Sequence, residues 1–395
     1  MSRTEIKMVL KAETAISLLR SRSINQFSKT LDYLPGSSVR GAFAEIFLNK
    51  RDDKDPDFQR IFVEEAVWFS DFLPSFSDAP TLSAPATAAA CKRYGADHEA
   101  SVRDRLLEAI VPNAASSSEE KFKCPVCEAQ LERLKAGYFE INGSRIPVKP
   151  DKQLRMHVGI SRATGSALHG LLFSYEMLVE EKLGKKKDEE SKPLKFIGTL
   201  AAEDNAALEV LAKVVPDREH LSIGHARTRG LGELTIEQRT PLARADDLEA
   251  RCRAFNEAVR AKGGDANKFY FAITLTSHLA LRDRLGLPVL EGLNARHFGL
   301  DEQMMPENCH KPVVSFLSTA VVSGWNAALG MPKPDTHAIS RGSVVVFALP
   351  NDWDRSALMS RLDTLEREGA GERRVEGFGS LMVCHPIHYD FFCQN

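Results

Sequence analysis

The sequence predicts a mixed α+β chain made of two tandem copies of one unit, on three observations. Gly224, Gly230 and Gly232 have the spacing G-x5-G-x-G, and Gly371, Gly377 and Gly379 repeat it 147 residues later. At that offset Arg227 falls on Arg374, Leu231 on Phe378 and Leu234 on Leu381. Each stretch follows an amphipathic helical pattern and precedes an apolar strand pattern. That order matters chemically. A dinucleotide fingerprint or a Walker loop runs strand, glycines, helix. Here the order is helix, glycines, strand, and no Gly-Lys-Ser/Thr follows, so mononucleotide binding at these loops is disfavoured. Two readings remain: tight connections with solvated arginines, or a close backbone approach to a ligand whose phosphates meet the arginines.

The bulk composition sets limits. The chain has 395 residues, 43% of them hydrophobic and 27% charged, which is the profile of a soluble globular protein. A formal net charge of −2 gives no global attraction to polyanions, so any nucleic-acid site is a local patch. No apolar run approaches the length of a membrane span. The N-terminus shows no apolar signal core, and cytoplasmic residence is the expectation. Seven cysteines in a chain of this kind point to a metal site before a disulfide framework.

Taken in order, Glu5 to Leu18 reads as a strand that loses its period toward the end. LDYLPGSSVRGAFAEIFLNK follows, with a turn at Pro35-Gly36 and a helix to about Leu48 whose apolar stripe is Val39, Ala42, Phe43, Ile46 and Phe47. Ser37 or Ser38 is the expected cap, with Arg40 in the first turn. Such a start is either a plain capped helix or an anion site. Residues 76–150 read as a loop-rich insertion. RMHVGISRATGSALHGLLFSYEML then interleaves Arg155, His157, Arg162 and His169 with small residues before an alternating run from Leu171 to Leu178. The mixed charges of EEKLGKKKDEESK suit a solvated hairpin tip. Next come a strand at 194–200, a helix at 202–215 and, after the first glycine stretch, a strand at 233–237. Residues 241–267 read as a polar, helical linker. KFYFAITLTSHLAL restarts the pattern, RGSVVVFALP is an apolar strand, and WDRSALMSRLDTLERE is a helix with Leu358, Leu362 and Leu365 in period. The expected organisation is a unit at 1–240, the linker, and a unit at 268–395.

Within the insertion, Cys124 and Cys127 form a CxxC knuckle suited to tetrahedral zinc, with Cys91 and His98 as the expected second pair. Four protein ligands leave no open position, so this zinc would be structural; the alternative is free thiols.

These motifs resemble the RAMP superfamily of CRISPR type III effector subunits. GHARTRGLGEL and GERRVEGFGSL are similar to its glycine-rich loop, LPGSSVRGAF to its first-helix start, and FAITLTSHLALRDRLG to the opening of a second unit. HVGISRATGSALHGLLFSYEML and VSGWNAALGMPKP…AISRGSVVVF look most like the type III-D csx-ten branch, which is Cas-five-like. ATAAACKRYGADHEAS…KCPVCEAQ looks like its cysteine-bearing insertion. The resemblance implies tandem ferredoxin-like (RRM-like, β-α-β-β-α-β) units and a non-catalytic role: holding the five-prime handle of the CRISPR RNA. It also implies partners, namely the large polymerase/cyclase-like subunit and the backbone RAMP subunits. The implied RNA contacts are Gly224, His225, Arg227, Arg229, Gly230 and Gly232 in the first loop. In the second loop they are Gly371, Arg373, Arg374, Gly377 and Gly379. Ser37, Ser38 and Arg40 join them at the helix start, with His157 and Arg162 in the central stretch. Arginine forks and backbone amides at phosphates suit single-stranded RNA.

The resemblance also carries a catalytic alternative, since some relatives are endoribonucleases that cleave CRISPR RNA precursor or target RNA. Asp32 is the aspartate nearest the first helix, and His225 suits general acid–base work near neutral pH. Asp32 has no second carboxylate near it in sequence, and His157, His169 and His225 show no spacing that pairs them. No G-x-S-x-G or H-E-x-x-H motif is present. Cys309-His310 and Cys384-His385 are neighbours that a strand would point to opposite faces.

Overall fold

The computed structural model describes residues 3–20, 27–95, 102–111, 123–124, 126–134, 137–141, 145–182, 190–242, 247–326 and 329–390. In the first unit, β1 (Thr4–Ala12), α1 (Gly36–Lys50), β2 (Val67–Phe69), β3 (Lys195–Ala202), α2 (Asn205–Val214) and β4 (Glu233–Pro241) follow one another. The sheet is antiparallel in the order β4-β1-β3-β2, extended past β4 by His220–Ser222. The opening strand is thus central, which explains why Met8, Val9 and Leu10 are buried in succession. Phe43 and Phe47 of α1 pack with Leu208 and Leu211 of α2 and with Phe69, Phe72 and Phe196 in one core. Truncating either α1 phenylalanine to alanine costs about 3–5 kcal/mol.

The second unit repeats the sheet. Its elements are α3 (Leu248–Ala261), β5 (Lys268–Leu275), β6 (Val314–Phe316), β7 (Val344–Pro350), α4 (Ser356–Glu368) and β8 (Leu381–Val383), with strand order β6-β7-β5-β8. Residues 241–267, expected as a helical linker, contain a helix that packs on the second unit. Asp247 caps α3 by accepting from the Glu249 amide at 2.9 Å. Leu248, Cys252, Phe255 and Val259 enter the second core beside Phe271, Phe347, Leu362 and Leu365. Only short 3-10 turns, Ala295–Phe298 and Glu307–Cys309, lie between β5 and β6, and α3 packs beside α4 on the sheet. Glu249, Arg253, Glu257 and Arg260 of α3 are exposed, while Arg251 turns inward and pairs with buried Glu366 at 2.8 Å.

Each unit extends an arm between its second and third strands. The first arm pairs Lys152–Ile160 with Ala167–Leu178; the second pairs Thr319–Asn326 with Met331–Ile339. Their bases are tied alike, by bridges Ile16↔Leu178 and Leu279↔Ile339.

The insertion leaves the first unit and docks on the second. Ala88–Cys91 pairs with Arg103–Asp104 and with Leu131–Arg133. Asp104 is buried and accepts from Thr87 Oγ1 at 2.7 Å and from the Leu106 amide at 2.7 Å. It also meets His388 Nδ1 at 2.9 Å, and His388 Nε2 reaches Thr274 Oγ1 at 2.8 Å. Leu106 and Leu107 join the second core. A further tie is the buried pair Asp71–Arg341 at 2.7 Å, with Arg341 lying 3.7 Å over the Tyr33 ring. Removing one partner of such a pair costs about 3–5 kcal/mol, because the other charge is left buried.

Candidate nucleic-acid interface

The two glycine loops have the same backbone. In the first, Ala226 (φ 60°) and Gly230 (φ 77°) bracket a 3-10 turn at Arg227–Arg229. In the second, Arg373 (φ 57°) and Gly377 (φ 93°) bracket Arg374–Glu376. Each loop is sewn to the segment leaving its unit's first strand. His225 N donates to Ser17 O at 2.7 Å and Gly232 N to Ala15 O at 2.9 Å. Glu372 N donates to Ala280 O at 2.9 Å and Gly379 N to His278 O at 2.8 Å. A Cβ at Gly224 would lie 2.5 Å from Ser17 O, and one at Gly232 2.0 Å from Ile223 O. At Gly371 and Gly379 the matching distances are 2.3 Å from Ala280 O and 1.8 Å from Ala370 O. The close approach these four glycines permit is therefore to the chain's own backbone. Tight connection explains them; an RNA backbone is not needed.

The loops differ in their side chains. Arg229 is exposed and makes no ion pair among the described residues, and Arg227 pairs with Glu45 of α1 while donating to Ser222 O at 3.2 Å. At the equivalent places of the second loop stand Glu376 for Arg229 and Glu372 for His225. Glu376 binds Arg373 at 2.6 Å and Lys333 at 3.2 Å, and both cations hold it below the usual carboxylate range against the opposing effect of burial. Arg373 also reaches Thr336 and lies over Phe378. Gly377 packs against Asp71 of the first unit. Arg374 remains on the surface beside Glu368. The second loop is thus a joint between the units; the first leaves cations facing outward.

Beside the first loop stands the first arm. Arg155, Arg162 and His169 are exposed on it. His157 lies directly across from Phe173, with ring centroids 5.3 Å apart, and stacks on Tyr175 at 4.9 Å. Tyr175 is buried and meets His225 edge-on at 5.6 Å. The fold thus joins two histidines that sequence spacing left apart. Burial, and then the nearby Arg229 charge, lower the His225 pKa. Tyr175 was missed in the sequence; the signal was period two, which puts Phe173 and Tyr175 on one strand face, but the hairpin register was needed to set His157 between them.

The helix start is engaged by the chain's own groups. Helix α1 begins at Gly36, with Pro35 at the cap position and no side-chain cap, so Ser37 and Ser38 lie inside the first turn. The Gly36 amide already binds an internal anion, Asp71 Oδ1, at 3.0 Å. Arg40 turns inward, donating to Phe62 O over the Phe62 ring. Asp32 pairs with Lys152, which also reaches Glu176 at 3.5 Å. Among the described residues no hydrogen bond or ion pair joins Asp32 to His225.

The sulfur atoms of Cys91, Cys124 and Cys127 lie within 4.8 Å of one another. The knuckle closes through Cys124 N to Ala129 O at 2.7 Å and Glu128 N to Cys124 O at 2.9 Å. Tetrahedral zinc with Zn–S bonds of about 2.3 Å needs sulfurs about 3.8 Å apart, so the cluster fits a metal. His98 lies outside the described residues.

Among the described residues no helix is long and apolar enough to cross a membrane. The chain is similar in structure to a chain of the type III-B Cmr-beta complex bound to cognate target RNA, at 11% identity and a TM-score of 0.46, covering 95% of this chain and 96% of that one. Another Cmr-beta structure, bound to cognate target RNA and AMPPnP, matches at 11% identity and 0.44, covering 93% and 89%. A Cas6 product complex matches at 12% identity and 0.29, covering 49% and 79%. No curated protein matches the sequence. The model of the RAMP superfamily matches residues 24–235, more than half of the chain, which spans α1, the first arm and the first glycine loop, and the chain therefore belongs to the RAMP superfamily.

Proposed function

We propose that this chain is a non-catalytic RNA-binding subunit of a type III CRISPR ribonucleoprotein effector, most like the type III-D csx-ten, Cas-five-like branch. In this reading it holds the five-prime handle of the CRISPR RNA and joins the large polymerase/cyclase-like subunit to the backbone RAMP subunits in cytoplasmic antiviral defence. The observation that carries it is the exposed group of Arg227, His225 and Arg229 in the first glycine loop, with exposed Arg155 near the base of the adjoining arm and Arg162 in its tip, all cations or imidazoles on one unit of a near-neutral protein. The strand orders, with the opening strand between the third and fourth, support two ferredoxin-like units with a cysteine-bearing insertion in the first. Structural zinc on Cys91, Cys124 and Cys127, with His98 as fourth ligand, completes the insertion. The test is binding of the purified chain to labelled CRISPR RNA with and without its handle. Handle-dependent binding without cleavage supports the reading, and equal or absent binding refutes it.

A second reading, an endoribonuclease, draws on the contact chain His157–Tyr175–His225. It predicts RNA cleavage that is lost in His225→Ala or Asp32→Ala.

A further inference from the structure

The first arm has two unlike faces. One carries Leu154, Met156, Val158 and Leu172 together with Ser174 and Glu176, and Phe27 pairs beside Ser174. The other carries a ladder of flat rings, which the alternation of a strand and the cross-strand register bring into line. At its base Tyr175 is 2% exposed and closed edgewise by His225. His157 follows, tilted only 12° from Tyr175 and 17° from Phe173. Phe173 ends the series, 37% exposed. The next position out is Leu171, which occupies the space left by Gly159 across the strand, so among the described residues no further ring stacks on Phe173. Among the described residues, neither the His157 Nε2 nor the Tyr175 hydroxyl has a hydrogen-bond partner. Exposed cations stand at the base of the ladder: Arg155, directly across from Tyr175, and Arg229 in the loop beside His225.

We propose that Phe173, backed by His157 and Tyr175, is a stacking platform for one unpaired nucleobase, with Arg155 and Arg229 meeting the phosphates of the strand where it runs on toward His225. The inference rests on the RNA-binding reading above and adds the place where a single base is held. Three rings already lie nearly parallel, so a fourth flat system extends an ordered stack, and the cost of aligning the rings is met in the folded chain. Flat π surface with arginines on one side complements a base joined to phosphates. A protein partner of this face would need acidic groups for the same cations. Stacking is tolerant of base identity, so the platform fixes the register of the strand more than its sequence.

The experiment uses the full chain and single-stranded handle RNA carrying 2-aminopurine at successive positions. Stacking on Phe173 quenches the fluorescence at one position and leaves the others bright. Phe173→Leu keeps an apolar side chain on a surface strand but removes the π face; it abolishes that quench and weakens binding roughly 5- to 150-fold. Phe173→Trp restores both. An abasic nucleotide at the quenched position, which leaves the protein untouched, weakens wild-type binding by a similar factor and makes Phe173→Leu and wild type equal. Uniform fluorescence along the RNA, or a quench that survives Phe173→Leu, overturns the platform while leaving the RNA-binding reading intact. A Phe173→Leu variant that binds RNA normally but loses a protein subunit overturns it equally. Absence of RNA binding by the wild type sinks both.

Discussion

Arg229 and Arg373 sit in loops of one shape but in opposite company. Arg229 projects from the first loop with no ion pair among the described residues, whereas Arg373 is gripped by Glu376, Thr336 and the Phe378 ring. Arg229→Ala is therefore expected to weaken RNA binding and to lower the slope of log affinity against log salt by about one, the signature of one lost phosphate contact. Arg373→Ala is expected to leave that slope unchanged and to cost about 1 kcal/mol of stability, through a partly buried ion pair and a cation–π contact. A titration of binding across salt concentrations, with a urea melt of each variant, separates the two roles. Equal salt slopes for Arg229→Ala and wild type would remove this arginine from the interface. The sequence presented the two loops as equals because matching was read on glycines and apolar flanks. The exchange of His225 for Glu372 and of Arg229 for Glu376 lay in the same alignment and carried the difference.

At the scale of elements, the glycine loops were legible as a duplicated feature because each copy solves the same steric problem. The chain must turn from helix to strand while lying on the segment that leaves the first strand, and only glycine leaves room for the carbonyls there. Gly232→Ala and Gly379→Ala each place a methyl group about 2 Å from a backbone oxygen in a left-handed conformation. Each is expected to cost more than about 3 kcal/mol. Gly230→Ala meets no neighbour within 4 Å and pays only the left-handed backbone, about 1–2 kcal/mol. Urea midpoints rank the three, and an equal loss at Gly230 and Gly232 would show that conformation, not contact, selects the glycines. The helix start was misread for a related reason: Ser37 and Ser38 carry the right side chains for a cap, but Asp71, distant in sequence, reaches the Gly36 amide. Helix α3 is legible as a helix, but its apolar stripe is narrow among charges, and only the second sheet shows what it packs on. The thiol knuckle was legible from Cys124 and Cys127 alone. Cys124→Ser is expected to reduce bound zinc to background in an elemental analysis and to loosen the short sheet that carries Asp104. Unchanged, metal-free protein in both forms would end the zinc assignment.

Across the whole molecule, the ties that join the two units could not be read from the sequence, because each brings together residues hundreds of positions apart with no local pattern. Asp71–Arg341 and Asp104–His388 are both of this kind. These joints also set a pH limit. Burial, reinforced by Arg341, lowers the His278 pKa to about 3, and burial, reinforced by His388 and Arg251, does the same to His385. The hydrogen bonds agree: Nδ1 of His278 accepts from the Arg341 amide at 3.3 Å, and Nδ1 of His385 from the Ile387 amide at 3.0 Å, so each ring must be neutral in the fold. The unfolded chain protonates these rings near pH 6.5, and the folded chain does not until about pH 3. Below pH 6.5 the unfolded state therefore binds the extra protons, and stability falls as the pH drops through that window. The loss is up to about 1.4 kcal/mol per histidine for each pH unit. Urea midpoints between pH 7.5 and 5.5, above the range of ordinary carboxylates, measure it. Asn in place of each histidine keeps an acceptor near Nδ1 without a titrating ring, so the double variant His278→Asn, His385→Asn is expected to flatten the dependence. A double variant as acid-sensitive as the wild type would place the sensitivity elsewhere than at these two joints.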